Sequence, residues 1–535
     1  MSTAVSRAPG DTSDVEKNGA GEEQRQQQQQ QQHGRYNQHQ QKYQRHGKLV
    51  SMLKVDDGEV YESHPEKHPR WYQLILDVGV EENGIKPVPV ERRTDGRFYN
   101  LFTVMFTALL CLLPLPTGML ATISFGMSLR DASLVILFFS VITVIPPAFL
   151  GIGGTQTGLR QQVQARYSFG LYLATVPLLL NAATIIGFSL VAAIVGGQAL
   201  AAVNPTAVSD NVGIVVVCLV SFVASLMGYR ALHLFNTWSW IPNLVAIIIA
   251  VGCGGSKLRL QSDVAPATVQ QVLSYGGLIA GYFLTFGGTV SDYSIYHDPR
   301  ALRKPVVFAS YYLGMFTPSV PLLILGAAIG GATPNVPEWA AAYEHLGIGG
   351  VVAEMLTPAG GFGKFVLVLL ALSVIGNIAI SMYSVALCLQ MIVPFFARIH
   401  RFVFIVATFA VMIPCSIEAA RAWEESLENF LALIGYWAGC FDAVLITDLV
   451  VFRRMDYSSY EHAIWNVGRE LPTGIPALLA SVISFGLVVP GMAEAWYTGP
   501  IAKKTGDIGF ESAFVVTALC YFPLRWLEIR WRGRL

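Results

Sequence analysis

The chain carries little charge for its length. Of its 535 residues, 13% are Asp, Glu, Lys or Arg, whereas about 25% is usual in a soluble protein. Hydrophobic residues make up 53%, and the 36 basic and 36 acidic side chains cancel. No nucleic-acid partner is therefore expected. This composition argues against a soluble enzyme and favours a protein that crosses a membrane many times.

Motifs for catalysis and metal binding are also missing. The seven cysteines form no CxxC pair and lie mostly in apolar runs, which is typical of small buried residues. The sequence contains no HExxH, GxSxG or P-loop pattern. We therefore expect neither an enzyme nor a bound cofactor or metal ion.

The N-terminal segment differs in composition from the rest of the chain. Residues 24–44 are dominated by glutamine, and such a stretch buries too little apolar surface to offset its ordering entropy. We expect residues 1–97 to form a largely disordered cytosolic tail, followed by a transporter domain over 98–528 and a short basic cytosolic C-terminus over 529–535.

Twelve apolar segments follow the tail, each long enough to cross a bilayer. A helix rises about 1.5 Å per residue, so about 20 residues span the hydrocarbon core. The segments lack the two-residue alternation of membrane β-strands, so we expect an all-α integral membrane protein. The predicted spans are 98–126, 132–152, 169–196, 212–231, 234–252, 274–293, 306–330, 365–393, 402–420, 427–452, 474–496 and 510–528. Lys and Arg concentrate in the even-numbered loops and both tails, which predicts that both termini are cytosolic.

Two of these spans contain residues that interrupt a helix. The first carries Pro114-Leu115-Pro116-Thr117-Gly118, where two prolines remove backbone donors, and the sixth carries Phe286-Gly287-Gly288-Thr289. The breaks are five spans apart, as a five-plus-five inverted repeat with discontinuous helices 1 and 6 and two extra C-terminal helices requires. We expect them to line a central cavity; the alternative is a kink in each of two packed helices.

Several local motifs together resemble the fungal purine–cytosine permease family. The loop after the second span reads Thr157-Gly158-Leu159-Arg160-Gln161-Gln162-Val163-Gln164-Ala165-Arg166-Tyr167-Ser168-Phe169-Gly170. The other matching motifs are Gly196-Gly197-Gln198, Trp240-Ile241-Pro242, Asp292-Tyr293 with Tyr296, Asn377, Tyr383-Ser384, Phe452-Arg453-Arg454 and Gly499-Pro500-Ile501. The resemblance covers residues 95–535, nearly the whole membrane part.

This resemblance implies a twelve-helix carrier with the inverted-repeat fold of amino-acid and hydantoin transporters. Fungal members of the family are proton symporters of cytosine and purines, and relatives carry vitamin B6, allantoin or uracil. We therefore expect import of a small planar heterocycle across the plasma membrane, coupled to a cation that the resemblance indicates is H+. The partners are the substrate and the lipid bilayer, and the sequence gives no oligomeric state. A non-transporting nutrient sensor is the alternative from another functional class.

The resemblance also assigns a substrate site, and here that site has lost polar groups. The family has an aromatic residue and an Asn in span three, where this chain has Phe188 and Ala192, and often a Trp in span six, where it has Phe286 followed by Gly287. In span eight Asn377 is kept and Ser381 replaces the last Asn of the motif; Thr107 in span one completes the expected site. A nucleobase-like ligand of the cytosine and purine class is the first expectation. Because hydrogen-bonding groups are lost, pyridoxine, allantoin or a specialised heterocycle is the alternative.

Five further residues are candidates for gating or coupling. Arg160 and Arg166 either form a gate or serve as positive-inside anchors. Asp292 caps a helix or joins a gate. Asp442 lies deep in span ten and either couples protons or makes an interhelical hydrogen bond. Asn236 stands where the family has a Glu in span five.

Overall fold

The computed structural model describes residues 84–226, 238–393, 395–396, 399 and 401–535. The glutamine-rich segment, Asn236 and the junction between the predicted fourth and fifth spans lie outside the described residues. Helices dominate the described part of the chain, and the first of them begins at Phe98.

The first predicted span is broken into two helices. Helix α1 (Phe98–Leu109) and helix α2 (Pro114–Ile123) are separated by four residues and bent by 52°. Pro114 and Pro116 lie in the first turn of α2. Proline suits that place because the amides of a first turn have no partner within the helix.

The next helices lead from the first break to the sixth span. They are α3 (Leu129–Thr143), α4 (Ile145–Leu150), α5 (Ile152–Thr157), α6 (Gln161–Phe169), α7 (Thr175–Ala201), α8 (Asp210–Leu226), α9 (Trp240–Gly254) and α10 (Val269–Leu284). Helix α10 starts with a capping box between Thr268 and Gln271. It ends at Leu284, and the chain continues as two short 3-10 turns, Thr285–Gly288 and Val290–Tyr293. The sixth predicted span is therefore also interrupted.

The C-terminal half contains further long helices and one small hairpin. The helices are α11 (Lys304–Ala332), α12 (Pro337–Leu356), α13 (Gly360–Leu372), α14 (Val374–Ile392), α15 (Arg401–Ala419), α16 (Trp423–Thr447), α17 (Ile475–Gly491), α18 (Ala502–Thr505) and α19 (Gly509–Arg532). Strands β1 (Ala493–Glu494) and β2 (Tyr497–Thr498) pair antiparallel between α17 and α19. Helix α17 ends before residue 496, and α19 runs past residue 528, so both predicted boundaries are wrong by a few residues.

The described helices give a multi-span membrane protein. Six helical segments are long and apolar enough to cross a bilayer, or up to seven if each bent pair is one span. Three of these segments, Leu129–Thr157, Pro337–Ile392 and Arg401–Phe452, each contain more than one helix, and three shorter apolar helices accompany them. The predicted count of twelve stays a prediction.

Helix α11 packs along both halves of the broken first span. A Cβ atom at Gly118 of α2 would overlap the backbone of Leu323, and one at Gly326 of α11 would overlap the backbone of Leu115. Small residues at these two positions let the helix backbones approach closely, as is common between membrane helices. The broken span is thereby held against a long continuous helix.

Candidate functional site

The break in the first span leaves backbone carbonyl groups without their usual helical partners. Amide side chains from other helices donate hydrogen bonds to them. In a continuous helix the carbonyl of Leu110 would accept from the amide of residue 114, which is a proline without an N–H group. Nδ2 of Asn243 on α9 donates to this carbonyl at 3.2 Å instead. Nδ2 of Asn377 on α14 donates to the carbonyl of Ala108 at 3.0 Å. Two asparagines from other helices therefore hold the broken span in place.

The side chain of Asn377 has a second hydrogen-bonding atom, its amide oxygen, which makes no hydrogen bond to the break. Its Oδ1 is buried and has no partner among the described residues. Thr107 is buried next to Ala108, and Ser381 lies half-buried one turn after Asn377. The structure thus brings two predicted site residues, Thr107 and Asn377, to the same break and leaves an acceptor beside it.

Aromatic side chains meet between the third and sixth spans. The half-buried ring of Phe188 on α7 makes edge-to-face contacts with Tyr282 of α10 (6.2 Å between centroids) and with Phe430 of α16 (5.2 Å). Phe286 follows Tyr282 by one helical turn and is also half-buried. Aromatic surfaces of this kind suit a flat apolar ring. Ala192 is fully buried and presents no surface to a ligand in this conformation.

Sequence reasoning missed four residues of this region. Tyr282 could have been found, because it precedes Phe286 by one turn on the same helix face. Asn181 precedes Phe188 by two turns, which is a weaker signal. Phe430 and Asn243 carried no local signal, because only the packing of α16 and α9 brings them here.

Two consecutive glycines in the sixth span make room for polar side chains. A Cβ atom at Gly287 would overlap the carboxylate of Asp442, and one at Gly288 would overlap Oδ1 of Asn181. Nε2 of Gln162 donates to the carbonyl of Gly288 at 2.9 Å. Gly287 and Asp442, which the sequence placed in separate roles, are therefore direct neighbours.

Arg160 and Asp292 connect four segments of the chain. The Asp292 carboxylate accepts from the backbone N–H of Gln161 at 2.8 Å and so caps the start of α6. Arg160 lies 3.9 Å from the same carboxylate, donates to the carbonyl of Gly84 at 2.6 Å, and donates to the Tyr383 hydroxyl at 3.1 Å. Arg160 is buried, so it is more than a surface anchor.

Arg166 has a separate environment at the other end of α6. Its guanidinium donates to Oδ1 of Asn466 at 3.0 Å and lies 5.3 Å from the centroid of the Trp465 ring. These contacts fasten α6 to the segment that follows the tenth span. Arg160 and Arg166 therefore hold opposite ends of one short helix against different parts of the molecule.

The segment before the first span is attached to the same region. Arg93 donates to the carbonyls of Val88, Thr155, Gln156 and Thr157, and thus caps the end of α5. Burial opposes ionisation of nearby Asp95, but hydrogen bonds from Arg97 and Asn100 and the charge of His297 hold the pKa of Asp95 at about 2. Asp95 therefore remains ionised at physiological pH.

These features define a class of protein. Two helices are broken within an apolar multi-span bundle, and amide side chains from other helices donate to their freed carbonyl groups. This arrangement is characteristic of secondary transporters, in which discontinuous helices bind the substrate inside the membrane.

The chain belongs to the family described as permeases for cytosine/purines, uracil, thiamine and allantoin, whose model matches residues 87–510. The predicted family is thereby confirmed. Because the family consists of permeases, the protein is a membrane transporter and not an enzyme.

Individual relatives cover nearly the whole chain. The purine-cytosine permease fcyB of Emericella nidulans is 32% identical over 483 residues, which is 89% of this chain and 94% of that protein. The vitamin B6 transporter TPN1 of Saccharomyces cerevisiae is 27% identical over 87% of this chain and 90% of its own length.

A solved structure shares the fold. The structure of Mhp1, a nucleobase-cation-symport-1 family transporter in a closed conformation with bromovinylhydantoin bound, has a TM-score of 0.65 at 16% identity. The match covers 84% of this chain and 95% of that chain.

Proposed function

We propose that the protein is a plasma-membrane symporter that imports a small planar heterocycle together with a proton. In this proposal the chain crosses the membrane twelve times with both termini in the cytosol. The first ten spans form the five-plus-five inverted repeat, and the breaks in spans one and six lie at equivalent positions of the two halves.

The substrate lies between these two breaks. Phe188 and Phe286 provide aromatic surface, while Thr107, Asn377, Ser381 and the backbone at Gly287 provide the few polar contacts. Ala192, which is fully buried, contributes no contact surface in this proposal. The observation that carries the proposal is the junction of span one with α14, where Asn377 supports the freed carbonyl of Ala108 and still offers its unpartnered Oδ1.

The substrate class follows from the balance of aromatic and polar groups. A nucleobase of the cytosine and purine class is the first candidate, supported by the relatives that are named purine-cytosine permeases. The low number of amide side chains favours a ligand with fewer hydrogen-bonding edges, because unpaired polar groups on a buried ligand are unfavourable by about 1–3 kcal/mol each. Pyridoxine is the second candidate, supported by the similarity to a vitamin B6 transporter; allantoin and a specialised heterocycle complete the range.

An uptake panel tests this proposal. The full chain is expressed in a host that lacks its own nucleobase permeases, and labelled cytosine, adenine, hypoxanthine, uracil, allantoin and pyridoxine are supplied at two pH values. We expect saturable uptake of at least one compound, with a higher rate at the lower pH. Absence of uptake of every compound, with the protein at the cell surface, would favour a nutrient sensor. Tight uptake of cytosine would contradict the inference from Ala192 and Ser381.

A further inference from the structure

The glycine pair of the sixth span borders a buried group of polar atoms. Asp442 from α16 lies against Gly287, and Asn181 from α7 lies against Gly288. Gln162 reaches Gly288 from α6. The side chains of Asp442, Asn181 and Gln162 are buried from solvent, so three helices contribute polar groups to one place beside the break.

The amide nitrogen atoms of this group donate hydrogen bonds, whereas its oxygen atoms accept none from the described residues. Nε2 of Gln162 donates to the Gly288 carbonyl at 2.9 Å, and Nδ2 of Asn181 donates to Sγ of Cys388 at 3.5 Å. Oε1 of Gln162, Oδ1 of Asn181 and both carboxylate oxygens of Asp442 have no donor among the described residues. Buried acceptors without donors are unfavourable and call for a ligand that brings a proton or a positive charge.

Three carboxylates on the surrounding elements are engaged with other partners. Asp448, further along the same span, accepts from Arg453, Arg525 and Tyr521. Asp292 accepts from Gln161 and lies near Arg160, and Glu528 pairs with Arg525. The other ionisable side chains described on elements packed around Asp442 include Tyr282, Tyr293, Cys388, Cys440 and Glu511, and none of them hydrogen bonds to Asp442. Within the described chain, no side chain therefore neutralises this carboxylate.

We propose that Asp442 is the residue that binds the transported proton. The inference rests on the proposed symport. A proton that adds to the carboxylate forms an O–H group, which converts one of its two unpartnered oxygen atoms into a donor. The same O–H bond breaks when the proton is released.

A proton fits this group better than a metal ion does. Hard metal cations in proteins take about six or more oxygen ligands, whereas this cluster offers one carboxylate and two amide oxygens. The described residues also contain no group of three His, Cys, Asp or Glu side chains that could hold a metal ion.

The position of Asp442 links proton binding to the substrate site. Gly287 directly follows Phe286 within one 3-10 turn. An ionised Asp442 favours a conformation that opens the group to water, whereas a protonated Asp442 permits the closed packing against Gly287. The proton therefore controls the conformation of the broken span that carries an aromatic residue of the substrate site.

Proteoliposomes that contain the full chain separate coupling from transport. For a compound carried by the wild type, accumulation driven by a pH gradient and exchange without a gradient are both measured. We expect Asp442→Asn to lose accumulation and keep exchange, because the amide preserves the shape but does not take up the proton. Gly287→Ala should also reduce accumulation, because its Cβ displaces the carboxylate. Glu511→Gln, which removes a membrane carboxyl outside the cluster, should accumulate substrate like the wild type.

A second measurement uses the wild-type protein, so its result does not depend on whether a variant folds. Dicyclohexylcarbodiimide modifies protonated carboxyl groups in apolar surroundings, and mass spectrometry of the wild type locates the adduct. We expect modification of Asp442 that decreases as the pH rises.

Four results would overturn the inference. They are full accumulation by Asp442→Asn, loss of accumulation in Glu511→Gln to the same extent, accumulation driven by a sodium gradient at constant pH, and absence of the carbodiimide adduct at every pH. A wild type that exchanges no heterocycle at all would instead refute the proposed symport, and the inference would fall with it.

Discussion

Two amide side chains donate hydrogen bonds to the backbone of the broken first span. Asn243 supplies the donor that Pro114 lacks, and Asn377 pairs with the carbonyl of Ala108 two residues earlier. The two residues have the same chemistry and similar hydrogen bonds. They differ in position: Asn377 pairs next to the predicted site residue Thr107, where its Oδ1 is buried without a partner, so Asn377 is the one that we expect to contact the substrate.

This difference gives a prediction at the scale of the residue. Asn377→Ala should abolish uptake while the protein still reaches the cell surface, since it removes an acceptor for the substrate and the amide that donates to the Ala108 carbonyl. The matched control is Asn243→Ala, which leaves the Leu110 carbonyl unpaired and should lower thermal stability, by about 1–3 kcal/mol, with little change in KM. The measurements are uptake kinetics and surface labelling of both variants. Unchanged uptake kinetics in Asn377→Ala would remove this residue from the site.

At the scale of the element, different residues interrupt the two broken spans. Prolines end the helix at the first break, and paired glycines make room for side chains at the sixth span.

The hairpin β1–β2 after α17 is held by Asp507, whose carboxylate accepts from the backbone of Ala493 and Gly509 at 2.9 and 2.6 Å and from the hydroxyl of Tyr436. Glu494 of β1 is buried beside it.

The hairpin should make stability depend on pH. Burial, together with the charge of Asp507, raises the pKa of Glu494 from 4.5 to about 8. The folded protein therefore keeps a proton that the unfolded chain loses, and this group lowers stability as the pH rises between these two values. Thermal unfolding of the purified protein from pH 5 to pH 9 should show this decline, and Glu494→Gln should reduce it. An unchanged profile in the variant would contradict the assignment.

At the scale of the whole molecule, a buried ionic network joins elements that are distant in sequence. Asp448, at the end of the tenth span, accepts from Nε of Arg453 at 2.7 Å, from Nε of Arg525 at 3.1 Å and from the Tyr521 hydroxyl at 2.9 Å. Arg453 also donates to the carbonyl of Tyr167 in α6 at 3.1 Å. One carboxylate thus connects the tenth span, the last helix α19 and the helix that Arg160 and Arg166 hold in place.

Removal of this carboxylate should weaken the whole protein. Asp448→Asn leaves the buried Arg453 without its counter-charge and leaves Arg525 with Glu528 alone, and loss of one partner of a buried ion pair is destabilising by about 3–5 kcal/mol. We expect a large drop in the midpoint of thermal unfolding and reduced surface expression. Glu470→Gln is the control, because its pair with Arg534 is accessible to solvent and should contribute less than about 1 kcal/mol. Equal effects of the two variants would contradict the role of the network.

The sequence alone determined the membrane class, the positions of both breaks and the family. These properties depend on the local composition of the chain. Apolar length decides whether a segment can cross lipid, proline removes a donor wherever it occurs, and motif residues are read in order along the chain. For that reason Pro114, Gly287 and the loop from Thr157 to Gly170 were informative without a structure.

Only the tertiary structure decided which side chains meet. Asn243 and Phe430 carry no signal in their own segments, and Asp442 could be ranked by depth but not connected with Gly287. Ala192, which the sequence placed in the substrate site, is fully buried, while Asn181, three turns earlier on the same helix, lies beside the glycine pair. The physical reason is that a hydrogen bond or ring contact between helices depends on the rotation and spacing of both helices, and these are set by the packing of the complete bundle.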